Sequence, residues 1–299
     1  MSQHLRGIFA LIVVTLVWGT TFPAMKDLTS HFSPLWIIFS RFLLAAAVLS
    51  PFLWGARLRD LGLGLGIGVL LFFCYVFQVE GLALTSSNRN AFITGLNVLV
   101  VPLLGVLAGR LPEKRIVLAL ALALGGLFAL CYDDGAWSRG DTLALCGALS
   151  FGLYIKCMEV GTRRVERLMS LTAAQILSVA LCAGLWLAVR EVPGAADAAG
   201  YWRALGAGLQ QSWPYVAYLG LVCTAAIISL QSWGQRHASA NEAAVIYAFE
   251  PASAAFFAYF WLGETMTARA WLGAALLISG MIVSQWNADS RPAAALAPE

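Results

Sequence analysis

Ten apolar stretches, each about long enough to cross a bilayer, occupy most of this 299-residue chain. They lie near residues 7–25, 34–54, 61–83, 88–108, 115–132, 141–160, 169–189, 213–233, 241–262 and 270–286. A membrane-spanning helix needs roughly 20 consecutive apolar residues. Backbone in lipid must satisfy its own hydrogen bonds, which leaves helices as the fold of such segments. The composition agrees: 60% of residues are hydrophobic, 12% are charged and the mean hydropathy is +0.77. Soluble domains carry about 25% charged residues. The pattern excludes disordered, collagen-like, coiled-coil and soluble-enzyme folds. A net charge of +3 without a dense basic cluster gives no nucleic-acid surface.

Most linkers are short and hold the charges and turn formers, as in Arg57-Leu58-Arg59-Asp60 and Leu111-Pro112-Glu113-Lys114-Arg115. Residues 190–212 read as the one long linker, with Tyr201, Trp202 and Trp213 suited to a membrane interface. Arg6 precedes the first run and no small-residue cleavage site precedes Lys26, so a retained first helix is expected. With the N-terminus inside, the inner loops hold eleven Lys and Arg against six outside, leaving Arg41 and Lys156 within spans. The positive-inside rule then places both termini in the cytoplasm. The outer acidic loop of Asp133, Asp134 and Asp141 agrees. All six cysteines fall in apolar runs without metal-binding spacing and read as packing residues.

A shift of 153 residues lays Gly81, Ser86, Asn88, Ala91 and Ile93 on Gly234, Ser239, Asn241, Ala244 and Ile246. The start of span four thus matches the start of span nine, and spans one to five repeat as six to ten. An odd repeat unit crosses the membrane in opposite senses, the arrangement that puts a transporter's site near the bilayer midplane. The fold expected is all-α, ten transmembrane helices in two inverted-topology five-helix repeats. Residues 1–135 form the first repeat, 136–287 the second and 288–299 a cytoplasmic tail.

The same shift lays Asn97 on Glu250 and Val98 on Pro251, all near mid-span. A carboxylate at bilayer depth is costly and must face a cavity or a partner. Pro251 removes a backbone donor and opens the helix locally. Two roles stand open for Glu250: pairing with Arg41 to join two helices, or direct participation in transport. Arg41 itself can snorkel, pair with a carboxylate or attract one from a solute. Tyr75 and Gln78 are three apart and share a helical face, Gln78 offering both donor and acceptor groups. Trp18, Tyr247, Phe256 and Phe257 are candidate aromatic walls. Gly62, Gly64, Gly66 and Gly68 form two small-xxx-small pairs for close helix packing.

Several motifs, in order, resemble the drug/metabolite transporter superfamily, specifically its ten-helix EamA-type permeases. Trp18-Gly19-Thr20-Thr21-Phe22 with Lys26 is similar to the family's opening motif. Ser33-Pro34 with Arg41-Phe42-Leu43-Leu44-Ala45 resembles its second-span signature. Ala91-Phe92-Ile93-Thr94-Gly95-Leu96 with Val101-Pro102-Leu103, and Glu250-Pro251 with Leu262-Gly263-Glu264, resemble the fourth and ninth spans. Asn88-Arg89-Asn90 and Lys156 depart from the pattern. The likeness is nearest to amino-acid exporters of the YddG kind. It implies an inner-membrane permease moving small metabolites by alternating access.

Enzyme chemistry finds no support. Three histidines near span ends build no intramembrane metal cluster, and HExxH, GxSxG and Walker A motifs are absent from the sequence. The expectation is therefore a non-enzymatic secondary transporter, without cofactor or metal, exporting amino acids or related small metabolites through a central cavity. Sugars, nucleosides or drug-like cations are the rival solutes, and a channel is the rival mechanism. The expected substrate-binding residues are Trp18, Tyr75, Gln78, Asn97, Tyr247 and Glu250, with Arg41, Pro102 and Pro251 structural or gating. Glu250 is the carboxylate available for proton coupling, against facilitated exchange without a coupling ion. The partners expected are the lipid bilayer and a small solute, for a monomer or homodimer.

Overall fold

The computed structural model describes residues 2–28, 32–85, 87–109, 111–131, 136–192, 198–262 and 267–286. The tail 288–299, Asp133, Asp134 and the side chains of Lys26 and Arg89 lie outside them. Among the described residues the chain is helical and has no strand. The helices of the first half are α1 (Gln3–Gly19), α2 (Thr21–Leu28), α3 (Pro34–Leu49), α4 (Leu58–Leu84), α5 (Ser87–Gly95), α6 (Asn97–Leu107) and α7 (Lys114–Cys131). Those of the second are α8 (Arg139–Arg164), α9 (Leu168–Trp186), α10 (Ala198–Ala217), α11 (Ile227–His237), α12 (Ala240–Tyr247), α13 (Glu250–Leu262) and α14 (Ala268–Gln285). A π-helical stretch, Leu187–Glu191, extends α9, and a second, Tyr218–Ala226, joins α10 to α11.

Six stretches among the described residues are long and apolar enough to cross a membrane: Pro34–Leu53, Leu58–Leu84, Arg139–Arg164, Leu168–Glu191, Ala199–His237 and Ala268–Gln285. Gln3–Gly19 and Phe92–Leu107 are shorter apolar helices. The expected linker 190–212 is corrected: from Ala198 onward it is helical and runs unbroken into α11. At 1.5 Å per residue the 39-residue stretch Ala199–His237 spans about 58 Å, roughly twice the hydrocarbon thickness. Its polar first turns, with Arg203, Gln210 and Gln211, are the excess. Hydropathy alone did not reveal them as helix.

Helix starts follow capping chemistry. Ser138 and Asp141 form a capping box at α8, and Ser239 and Glu242 form one at α12, each reciprocal pair satisfying orphan backbone donors. Asp141 is fully buried and also accepts the Thr85 hydroxyl at 3.0 Å. It is thus a cap that ties α4 to α8, not a solvated loop charge. Glu242 also meets His4 Nε2 at 3.2 Å and Arg115 Nη2 at 3.3 Å, joining α12 to the starts of α1 and α7. At the other end of the bundle Ser33 donates to Glu191 at 2.7 Å and Tyr201 donates to it at 3.3 Å.

The two sequence halves interleave. α4 packs on α8 and α9, α1 on α11, α12 and α13, α3 on α9, and α7 on α14. Close backbone approaches make these contacts possible. A Cβ built on Gly7 would lie 3.0 Å from the Gly234 carbonyl oxygen, and one on Gly140 would lie 3.0 Å from that of Gly81. Of the two glycine pairs in α4, Gly64 and Gly68 face α9, whereas Gly62 and Gly66 have nothing within 4 Å. A four-residue spacing fits either stripe, and only packing decides between them.

Candidate functional site

Two of the expected spans are broken in the middle. The fourth pauses at Leu96, between α5 and α6, and the ninth pauses at Ala248 and Phe249, between α12 and α13. Pro251 explains the second break: its missing N–H would have bonded the Tyr247 carbonyl, the last residue of α12. As the second residue of α13 it sits where a helix has no use for that donor. Its effect is the local opening expected of it. Pro102 lies inside α6 six residues past the first break, where it leaves the Val98 carbonyl without its helical donor. Asn97 and Glu250 are the first residues of the resumed helices α6 and α13. No side chain caps α6, whose N-cap position is Leu96.

Residues beside both breaks line one cavity. All six residues singled out in the sequence line it: Trp18, Tyr75, Gln78, Asn97, Tyr247 and Glu250. Thr94, Phe151, Tyr154 and Gln231 line it as well and were not singled out. Gln231 carried a usable signal, since it is 153 residues beyond Gln78. Tyr154 carried none, being one more aromatic residue in an apolar run. Phe256 and Phe257 are not among the lining residues. Phe256 is 44% exposed, its ring edge-on to Phe257 and tilted against Phe260.

A fixed polar frame surrounds the space. The Tyr154 hydroxyl lies 3.2 Å from Gln175 Oε1 and 3.4 Å from Gln231 Oε1. Gln175 Nε2 donates to Ser232 at 3.3 Å, and the Trp18 indole donates to the Cys223 carbonyl at 3.3 Å. The Trp18 and Tyr247 rings sit 5.6 Å apart. Inside this frame some groups are left over. Thr94 Oγ1 and Asn97 Oδ1 are buried and have no hydrogen-bond partner among the described residues. No hydrogen bond or ion pair reaches the Glu250 carboxylate from those residues either. Pairing with Arg41, one of the two roles open to Glu250, is therefore not made, although Glu250 lies within electrostatic reach of that cation.

Arg41 and Lys156 settle differently from one another. Arg41 is 3% exposed and its Nε donates to Thr224 Oγ1 at 2.8 Å. It does not snorkel. Lys156 pairs with Glu159 on its own helix, and Glu159 in turn accepts from the Ala240 N–H at 3.1 Å. Among the described residues no group of three or more His, Cys, Asp or Glu side chains is arranged to hold a metal ion.

The profile of the EamA-like transporter family matches the chain twice, at residues 5–132 and 138–285. An uncharacterized transporter of Archaeoglobus fulgidus is 29% identical over 287 residues, covering 94% of this chain and 86% of its own. The uncharacterized transporter YwfM of Bacillus subtilis is 24% identical, covering 95% and 94%. A protein of known crystal structure shares the fold, with a TM-score of 0.73 at 18% identity, over 97% of this chain and 98% of that one. Together with its apolar helices these matches identify the chain as a multi-pass membrane transporter, a member of the EamA-like transporter family.

Proposed function

We propose that this chain is a secondary carrier of ten spans in two inverted five-helix repeats, 1–135 and 136–287. In this reading it exports amino acids or related small metabolites by alternating access through the cavity between the halves. Both termini face the cytoplasm, as the Lys and Arg asymmetry of the loops supports, and the host membrane in this reading is the inner membrane.

Repetition of packing supports the inverted repeat. Gly7 meets Gly234 as Gly140 meets Gly81, and Gly19 meets Ser253 as Gly152 meets Val100. In both sets the partner residues are 153 apart, and the glycines of the first and sixth spans are 133 apart. The helix breaks obey the 153-residue shift as well. Relative motion of two such halves exposes a shared site to one side at a time.

The unpartnered Glu250 carboxylate at a helix break in the cavity carries the functional reading. A charge in lipid-depth surroundings with no protein partner costs several kcal/mol, and a bound cationic group offsets that cost. An ammonium group meets the need, with Gln78, Asn97 and Thr94 to hydrogen-bond the rest of a small polar solute. The aromatic walls Trp18, Tyr75 and Tyr247 favour a second reading, an organic cation held by cation–π contact.

Thermal unfolding of the purified protein with added solutes separates these readings. A ligand at about 100 times its Kd stabilises by about 2.7 kcal/mol. Threonine, methionine or phenylalanine is expected to raise the midpoint, and glucose and uridine are not. A shift with choline or uridine and none with the amino acids would replace the substrate class.

A further inference from the structure

The cavity wall has a second charge behind it that neither the fold nor the Glu250 argument uses. Arg41 sits two turns into α3, 3% exposed, with its guanidinium carbon 5.4 Å from the Tyr75 ring centroid and 5.5 Å from that of Phe42. Besides Thr224, it meets Met25 Sδ at 3.9 Å from Nη1. Among the described residues no carboxylate lies within ion-pair distance of it. Guanidinium stays protonated in proteins, so a whole positive charge is buried, and among the described residues its direct contacts are hydroxyl, thioether and aromatic groups. Tyr75, over which it lies, is part of the cavity wall.

Packing does not require this charge. A Cβ on Gly220 would lie 3.2 Å from the Arg41 carbonyl oxygen, and a Cβ on Gly68 would lie 2.4 Å from that of Gln175. The position occupied by Arg41 in α3 is thus occupied in α9 by Gln175, a neutral side chain satisfied by Tyr154 and Ser232. Glu250 has the neutral counterpart Asn97. Of two similar sets of interior positions, one is wholly uncharged and the other holds a guanidinium and a carboxyl group. These two groups do not neutralise each other by contact, and both act on the cavity.

We infer that Arg41 determines specificity for solutes bearing a carboxylate, its positive potential holding that group near Tyr75 while Glu250 holds the ammonium. This rests on the amino-acid carrier reading above. The pair then selects zwitterions over amines, because in a poorly screened site a solute without the carboxylate leaves the Arg41 charge uncompensated.

The test compares the concentrations of threonine, methionine and phenylalanine, and of their carboxamides, that raise the unfolding midpoint by the same amount, since stabilisation grows with the logarithm of ligand concentration over Kd. Wild-type protein is expected to prefer the acid at least about tenfold, the size of one strong charge contact. Arg41→Gln, the residue already used at the related position, brings the ratio near one by weakening the acid alone. Arg41→Lys keeps most of the preference. Equal binding of acid and amide by wild-type protein, or parallel loss of both in Arg41→Gln, overturns the inference and leaves the carrier reading standing. Folded wild-type protein that no amino acid stabilises overturns both.

Discussion

Glu250→Ala is expected to lower solute exchange by at least about a hundredfold, the equivalent of losing roughly 2.7 kcal/mol of interaction with the bound solute. Folding should not suffer. The carboxylate receives no hydrogen bond or ion pair from the described residues, so truncation orphans no partner. It also removes a charge that is costly to bury, and the unfolding midpoint should stay level or rise. Only a local contribution opposes this: a carboxylate at the first residue of α13 gains about 0.3–1 kcal/mol from the helix dipole. Glu250→Gln separates charge from shape, because it keeps the volume and an acceptor. If exchange persists in Glu250→Gln with its pH dependence intact, the charge takes no part in binding or proton coupling. The residue is then a spacer at the helix break. Unchanged exchange in Glu250→Ala would remove it from the site altogether.

A large stability effect is expected where two backbones touch. On α7 a Cβ at Gly126 would lie 2.8 Å from the Gly273 carbonyl oxygen and 3.0 Å from the Leu277 nitrogen of α14. Backbone atoms cannot rotate aside, so Gly126→Ala must push the helices apart, at a cost of about 1–3 kcal/mol or more. The adjacent Gly125 is the control, since its added Cβ meets only Leu276 Cδ1 at 3.9 Å. Gly125→Ala should be neutral or stabilising by up to about 1 kcal/mol, alanine being the better helix former. Thermal or denaturant unfolding in detergent reads both. Equal midpoints for the two variants would show that α7 and α14 do not pack through this contact.

Much of the site was legible because membrane depth punishes polar side chains. Asn97, Gln78 and Glu250 stood out from apolar surroundings, and Pro251 marked an opening in the ninth span, whereas the break at Leu96 was not anticipated. Gln231 lay under the same shift as Gln78 and needed only the same comparison. Tyr154 and Phe151 could not be found that way, because an aromatic residue in a membrane helix reads alike whether it faces lipid, core or cavity. The fold was legible in its runs and less so at its edges. The start of α10 is polar enough to resemble a linker, yet helix continues wherever the backbone can bond to itself, in lipid or in the interface. The Ser138–Asp141 capping box was open to a local reading, whereas the Thr85 bond that helps bury Asp141 depends on where α4 ends, which is a tertiary fact. The pairing of Glu250 with Arg41 was chemically reasonable, but depth along a helix does not fix the distance between side chains on different helices.

The measurement that bears most directly on the carrier account is counterflow. Proteoliposomes are loaded with unlabelled amino acids, diluted into labelled threonine, methionine or phenylalanine, and compared with protein-free liposomes. A site that opens to one side at a time exchanges outgoing for incoming solute, so label should accumulate transiently above its equilibrium level and then decline. Flux without that overshoot, at rates far above those of a carrier, would mark a channel. Flat traces from protein shown to be folded would contradict amino-acid transport through this cavity.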